Sequence, residues 1–246
     1  MMMHGIEVPF LADLLGQGPL HPIMLGLALL GMLVTIGIWV MELSGRTISR
    51  RGLVRNNVPW DTATIALIVA SAAIFIATRP LHLQVLPRIG EFTPIVSLAP
   101  TLAPIFSVLF GLPGAIGMTL GFPISQLIYG GLSLETMGGF LSYAFVTWLP
   151  YRMVRELKFK KEVVGRYYLW AILVGPVIHV TVTTGWLDFI GARSPAMAWG
   201  MRLPSLLINH SLLTVVSSPI LLIILYPFAK LLNLCWWNRY LPEFAR

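Results

Sequence analysis

The sequence predicts an all-α polytopic membrane protein, and its composition is the reason. Of the 246 residues, 57% are hydrophobic and only 11% are charged, less than half of the roughly 25% found in soluble domains. A soluble protein of this length could not bury so many apolar side chains, so many of them must face lipid. The single cysteine excludes a scaffold held by internal disulfides.

Apolar stretches predict seven transmembrane helices. A helix rises 1.5 Å per residue, so a hydrocarbon core of about 30 Å requires about 20 apolar residues. The stretch 92–134 is too long for one helix, and the sequence Gly111-Leu112-Pro113-Gly114 predicts a tight turn that divides it into two. The predicted helices cover about residues 19–43, 62–78, 92–134 (two helices), 136–151, 167–189 and 203–232.

The basic residues support this number and give an orientation. Thirteen of the 17 lysines and arginines lie in 44–61, 151–166 and the C-terminal stretch, which seven helices place on one side. By the positive-inside rule, we expect the N-terminus outside the cell membrane and the C-terminus in the cytoplasm. The net charge of +7 therefore reports topology. No nucleic-acid-binding domain is evident, and the bilayer is the expected partner of these charges.

We divide the chain near residue 58. Residues 1–58 hold an N-terminal stretch, an accessory transmembrane helix and a basic cytoplasmic linker, whereas 59–246 form a six-helix membrane core with short connections. The N-terminal stretch is either a helix lying in the membrane interface or an ordered tail without a separate role. Its apolar residues at near-helical spacing are Ile6, Phe10, Leu11, Leu14 and Leu15.

Polar side chains inside the apolar stretches are candidate binding residues, because each is costly in lipid unless it is paired or used. His179 and His210 lie on consecutive helices at similar depth, and Asn209 adjoins His210; Gln126 and Tyr129 lie on the fourth helix. The histidines either connect helices by hydrogen bonds or contact a ligand or metal. We expect no metal or cofactor, because two histidines fall short of the three or four ligands usual at metal sites.

The loop after the second predicted helix gathers Arg79, His82, Arg88 and Glu91 on the side that is poor in basic residues. An arginine can bind a carboxylate or phosphate through two hydrogen bonds, and Glu91 can bind an amine. The alternative is that both arginines extend to the interface, with Glu91 as their counter-ion.

Signatures of catalysis are absent from the sequence. It contains no Gly-x-Ser-Gly motif, no paired intramembrane aspartates and no phosphate-binding Walker loop. We therefore expect that the protein is not an enzyme and that any ATP hydrolysis belongs to a partner.

One region resembles a known family. The sequence Arg88-Ile-Gly-Glu-Phe-Thr-Pro94, followed by LAPTLAPIFSVLFGLPGAIGMTLG through Gly121, is similar to the substrate-binding S components of energy-coupling factor (ECF) vitamin transporters. The resemblance covers about residues 60–235 and is closest at 88–121. It implies a six-helix bundle, a lid formed by the 79–91 loop over an outward-facing cavity, and separate coupling and ATPase subunits. Related sequences often carry an acidic residue where this one has Ser125-Gln126, so the resemblance does not specify the ligand.

Small residues on the second predicted helix agree with this resemblance. Ala66 and Ala70 form an Ala-x-x-x-Ala pattern, which lets two helices approach closely in lipid. In S components such a face docks the membrane coupling subunit, although the same pattern also serves packing within one chain. The sequence thus predicts a vitamin-like small-molecule-binding subunit of an ECF-type importer. The alternative is a structural or assembly subunit of a larger membrane complex, with Trp236-Trp237 among its contact surfaces.

Overall fold

The computed structural model describes residues 8–49, 52–84, 95–154 and 161–239, and these are mostly helical. The predicted all-α class is confirmed at this level, with two short antiparallel hairpins added. The helices are α1 (Pro9–Leu11, continued by the π-helical turn Ala12–Gln17), α2 (His21–Leu43), α3 (Thr62–Thr78), α4 (Leu98–Phe110), α5 (Leu112–Tyr129), α6 (Leu134–Met153), α7 (Glu162–Phe189), α8 (Pro195–Leu231) and α9 (Trp236–Arg239). The hairpins pair β1 (Arg46–Ser49) with β2 (Gly52–Arg55) and β3 (His82–Gln84) with β4 (Ile95–Ser97).

Three helices, α2, α7 and α8, are long and apolar enough to cross a membrane. Helices α3 and α4 are apolar but shorter, with 17 and 13 residues. The structure thus agrees with a helical membrane protein, whereas the number of seven spans and their orientation stay predictions.

The predicted break in the longest apolar stretch is confirmed. Helix α4 ends at Phe110 and α5 begins at Leu112. Gly111 between them has a φ of +67°, a backbone conformation that favours glycine. A Cβ atom at Gly114 would lie 2.2 Å from the Phe106 carbonyl oxygen, so glycine is required for α4 and α5 to fold back this closely.

Two predicted helix boundaries were wrong. Helix α8 begins at Pro195 rather than 203, because the Ser194 side chain accepts a hydrogen bond from the Met197 N–H and caps the helix. Helix α4 begins at Leu98 rather than 92, because residues 95–97 form β4 instead.

Contacts between helix ends show that α2 runs antiparallel to α7 and parallel to α6, and that α8 runs antiparallel to α7, so the bundle has two ends. At the first, His21 Nε2 lies 2.6 Å from Asp188 Oδ2, so the start of α2 meets the last turn of α7. At the second, the buried Glu42 near the end of α2 accepts a hydrogen bond from Trp148 on α6. We call these the Asp188 end and the Glu42 end.

Helix α2 packs on the rest of the bundle along its length. A Cβ atom at Gly185 of α7 would lie 2.2 Å from the Ala28 Cβ atom. Nearer the Glu42 end, the Trp39 indole donates a hydrogen bond to the Ala144 carbonyl oxygen at 3.0 Å. Helix α2 therefore contacts both α6 and α7.

Candidate functional site

Five side chains from neighbouring helices form a continuous row inside the bundle. The Arg79 guanidinium, at the end of α3, lies 5.5 Å from the ring centre of Phe122 on α5. Phe122 stacks on Tyr143 of α6, with ring centres 4.7 Å apart. The ring of Tyr143 lies 4.8 Å from that of His179 on α7, which lies 4.7 Å from that of His210 on α8. We call these five residues the aromatic stack.

The stack reaches from the Asp188 end toward the middle of the bundle. Arg79 directly follows α3, whereas Phe189 ends α7 ten residues after His179. Ten helical residues span about 15 Å, half of a hydrocarbon core of about 30 Å. His179, whose ring lies beside that of His210, is thus about 15 Å from the end of α7.

Two polar atoms of the stack have no hydrogen-bond partner among the described residues. They are the Tyr143 hydroxyl and His179 Nδ1. Tyr143 is only 3% exposed and His179 only 5% exposed. A buried polar atom without a partner costs about 1–3 kcal/mol, and folded proteins keep few of them. A ligand that binds at the stack would supply the missing partners.

A small cavity adjoins the stack, and Tyr143, His179 and His210 contribute to its wall. The space open to a water-sized sphere is about 10 Å³, which is enough for about one water molecule. Ligand sites for drug-sized molecules usually measure about 300–1,000 Å³. A vitamin-sized ligand would therefore require the surrounding helices to move apart.

Irregular helix geometry surrounds the cavity. His210 lies in the π-helical turn Ile208–Leu212, and the π-helical turn Tyr168–Val174 precedes His179 on α7. Such turns inside helices occur often at functional sites, because they change the direction in which side chains point. Pro100 and Pro104 of α4 also line the cavity, and proline weakens the helix that contains it.

The charges near the stack are positive. Arg79 and Arg202 both act electrostatically on His210. No acidic side chain of the described residues lines the cavity or belongs to the stack. These positive charges favour a ligand group that is negatively charged or accepts hydrogen bonds.

The structure brings three predicted site residues, Arg79, His179 and His210, into the stack. Asn209 has a buried Oδ1 without a partner in the described part, but it does not line the cavity. Gln126 is half-buried beside Gly130, and Tyr129 is 54% exposed. The described contacts connect neither of these two with the stack.

Three predicted site residues in the 79–91 loop, His82, Arg88 and Glu91, are described incompletely or not at all. His82 lies in β3, where its backbone is paired with that of Ser97. Arg88 and Glu91 lie outside the described residues, so the predicted lid stays a prediction.

Two residues of the stack were missed from the sequence, Phe122 and Tyr143. Phenylalanine is common in membrane helices, so Phe122 does not stand out in the sequence as a candidate site residue. The hydroxyl of Tyr143, nine residues after the start of α6, was the available signal, because a buried tyrosine hydroxyl usually requires a hydrogen-bond partner.

A second candidate surface lies on α3. One face of this helix is buried and includes Leu67, Ser71 and Phe75, and Ser71 lies close to Gly117 of α5. The other face includes Ala66 and Ala70, and both are exposed. The Ala-x-x-x-Ala pattern is therefore not used for packing between the described parts of the chain.

The described residues contain no group of three or more His, Cys, Asp or Glu side chains that could hold a metal ion. No family model, curated protein or solved structure matches this chain. The resemblance to ECF S components therefore depends on the sequence alone.

Proposed function

We propose that the protein is the membrane-embedded small-molecule-binding subunit of an ECF-type importer, driven by separate coupling and ATPase subunits. The aromatic stack is the observation that supports this proposal most strongly. The Tyr143 hydroxyl and His179 Nδ1 are buried and have no hydrogen-bond partner among the described residues. Both side chains lie beside a further ring, that of Phe122 or that of His210. The stack also begins at Arg79, the first residue of the proposed lid.

In this proposal α2 to α8 all cross the membrane, with the Asp188 end outside and the Glu42 end in the cytoplasm. The basic residues described at the Glu42 end include Arg46, Arg55, Arg166 and Lys230, as the positive-inside rule requires. The 13 residues of α4 reach only about 20 Å. We expect local thinning of the bilayer, or the pairing of β3 with β4, to accommodate this short helix.

The chemistry of the stack restricts the ligand. A planar ring can pack against Phe122 and Tyr143. An acceptor or anionic group can receive hydrogen bonds from the Tyr143 hydroxyl and Arg79. Because the cavity has room for about one water, the ligand enters an open state of the bundle. Transport then requires that the ligand bind the outward-open state more tightly than the inward-open state.

The exposed alanines of α3 provide the surface for the coupling subunit. Ala66 and Ala70 lie one helical turn apart and are both exposed, so a helix of the partner can approach the α3 backbone closely. In the rival proposal of an assembly subunit, Trp236 is not available as a contact, because it is completely buried and packs against Tyr151, whereas Trp237 is half-buried.

Ligand binding is tested by thermal unfolding of the full chain in detergent, with and without each member of a panel of water-soluble vitamins. We expect at least one vitamin to raise the unfolding temperature of the wild type and to do so much less in Tyr143→Phe. The matched control is Tyr168→Phe, which removes the same atom from an exposed tyrosine. The proposal is wrong if no vitamin stabilises the folded protein, or if Tyr143→Phe responds as strongly as the control.

Partner docking is tested by co-purification from the native membrane. We expect the tagged wild type to recover coupling and ATPase subunits and Ala66→Leu/Ala70→Leu to lose them. Ile65→Leu/Val69→Leu is the control, because it changes exposed apolar residues of the same helix without filling the alanine face. Recovery of a different stable enzyme complex would support the assembly subunit instead.

A further inference from the structure

The hairpin formed by β1 and β2 has one face fixed to the bundle and one face exposed. Arg46 is paired with Arg55, and Ile48 with Leu53; all four residues are exposed. Thr47, which alternates with them, is buried and donates a hydrogen bond to Glu42 at 2.6 Å. The two arginines therefore belong to a surface whose position is held by the fold.

The pairing of the two arginines is unfavourable without a counter-ion. Directly opposite residues in an antiparallel pair have Cβ atoms about 5 Å apart, and like charges there repel each other. The ion pairs among the described residues are His21 with Asp188 and Arg239 with Asp61. Neither involves Arg46 or Arg55, so an anion bound between them would relieve their repulsion.

A wide cleft of about 430 Å³, polar and largely open to the surface, lies next to this pair. Arg46 and Arg55 line it together with Ser44, Asn57 and Trp60. Arginine is suited to phosphate, because its planar guanidinium donates two parallel hydrogen bonds to phosphate oxygens. The cleft is therefore large enough and suitably charged for a phosphate-bearing group.

The hairpin lies across the end of the bundle rather than projecting away from it. The Arg152 guanidinium, at the end of α6, donates a hydrogen bond to the Ile48 carbonyl oxygen. The hairpin also follows α2, one of the helices long and apolar enough to span a membrane, after only two residues. Its exposed face is thus close to the headgroup level of a bilayer that α2 crosses.

Apolar side chains beside the arginines point to a lipid as the source of the phosphate. Ile48, Leu53 and Trp60 are 47%, 60% and 50% exposed, and tryptophan is enriched at membrane interfaces. We propose that this surface binds the headgroup of an anionic phospholipid. The phosphate lies between Arg46 and Arg55, and the apolar side chains contact the boundary of the acyl chains.

The proposal is tested by native mass spectrometry of the full, delipidated chain in detergent, titrated with phosphatidylglycerol or phosphatidylcholine. We expect tighter binding of phosphatidylglycerol by the wild type. Arg46→Gln/Arg55→Gln should lower its affinity for that lipid about 30-fold, the effect of two arginines near an anionic surface. Arg166→Gln/Lys230→Gln, which removes two exposed charges at the same end of the bundle, should leave the affinity nearly unchanged.

Four further measurements make the result decisive. Arg46→Lys/Arg55→Lys should keep the preference for phosphatidylglycerol, because both charges remain, and thermal unfolding should show that all variants are folded. If the glutamine variant is unfolded, Arg55→Gln alone should still weaken binding of phosphatidylglycerol. Equal loss in the Arg166→Gln/Lys230→Gln control would overturn the site. Displacement of the lipid by excess inorganic phosphate would show a site for free anions and would overturn the lipid proposal.

Discussion

The buried Glu42 carboxylate and the aromatic stack differ in how completely their polar atoms are hydrogen-bonded. The Glu42 carboxylate accepts hydrogen bonds from the Thr47 hydroxyl at 2.6 Å, the Trp148 indole at 2.9 Å and the Asn56 amide at 3.3 Å. In the stack, the Tyr143 hydroxyl and His179 Nδ1 have no partner in the described part of the chain.

This difference separates a structural role from a binding role. A fully hydrogen-bonded buried network makes the fold more rigid, whereas an incomplete one costs free energy. The network around Glu42 connects α2, the first hairpin and α6, and it needs nothing further. The stack retains two polar atoms without a partner in the described part of the chain, and we propose that a ligand supplies those partners. Four substitutions test this contrast.

The largest expected effect on stability is that of Glu42→Ala. It leaves the Thr47 hydroxyl and the Trp148 indole buried without their acceptor, at about 1–3 kcal/mol each. We expect a loss of about 3 kcal/mol in the free energy of unfolding, measured by thermal and chemical unfolding in detergent. Glu135→Ala, at an exposed carboxylate, is the control and should change stability by less than about 0.5 kcal/mol. Equal effects would contradict the structural role of Glu42.

Trp148→Phe should have a smaller effect, because Glu42 keeps its other two donors. We expect a loss of about 1–2 kcal/mol in the same unfolding measurements, from one hydrogen bond and some packing. A loss as large as that of Glu42→Ala would show that packing of the indole, rather than the hydrogen-bond network, holds this end together.

Asp61→Ala tests a carboxylate that is fully hydrogen-bonded but exposed. Asp61 accepts a hydrogen bond from the Thr64 N–H at 2.8 Å and two from Arg239 at 2.9 Å. The hydrogen bonds from Thr64, and then those from Arg239, lower its pKa from 3.8 to about 2. Water screens these contacts, so we expect a smaller loss at pH 7 than for Trp148→Phe.

The pH dependence of that loss has a definite sign. Because the pKa of Asp61 is lower in the folded state, its charge stabilises the fold at pH values above the unfolded pKa of 3.8. This contribution declines as the pH falls toward 2. The difference in unfolding temperature between wild type and Asp61→Ala should therefore be constant near neutral pH and shrink between about pH 4 and 2. A constant difference throughout would show that the charge of Asp61 is not what stabilises the fold.

Tyr143→Phe should change stability least, because it removes a hydroxyl that has no partner in the described structure. We expect the free energy of unfolding to stay within about 0.5 kcal/mol of the wild type or to rise. The affinity for the stabilising vitamin should nevertheless fall about tenfold, the value of one hydrogen bond, in calorimetric titration. A clear loss of stability without loss of affinity would make Tyr143 a structural residue.

Sequence reasoning predicted the features that depend on local chemistry. Gly111 and Pro113 marked the turn between α4 and α5 because their backbone preferences are strong. The similar depth of His179 and His210 was also predictable, because the rise per residue gives the distance of each histidine from the end of its helix. The rotation of each helix was not predictable. Helices such as α3 are almost entirely apolar, so no polar face indicates which side points inward. Tyr143 of α6 carries a polar hydroxyl, but the sequence alone does not show that this hydroxyl is buried.

The first hairpin was missed for a different reason. The four arginines of residues 44–61 predict a basic linker and give no indication of strands. The hairpin is ordered by contacts far along the chain, such as the hydrogen bond from the Arg152 guanidinium to the Ile48 carbonyl oxygen. Such long-range contacts are not visible in the local sequence.

The central claim is that the aromatic stack binds a small molecule, and mass spectrometry of the molecules that co-purify with the full chain tests it most directly. We expect one small molecule with a planar ring to be retained by the wild type and by Tyr168→Phe, and to be lost from His179→Leu although that variant remains folded. The claim is contradicted if His179→Leu retains the same molecule, or if the folded wild type retains none and binds none of the vitamins offered.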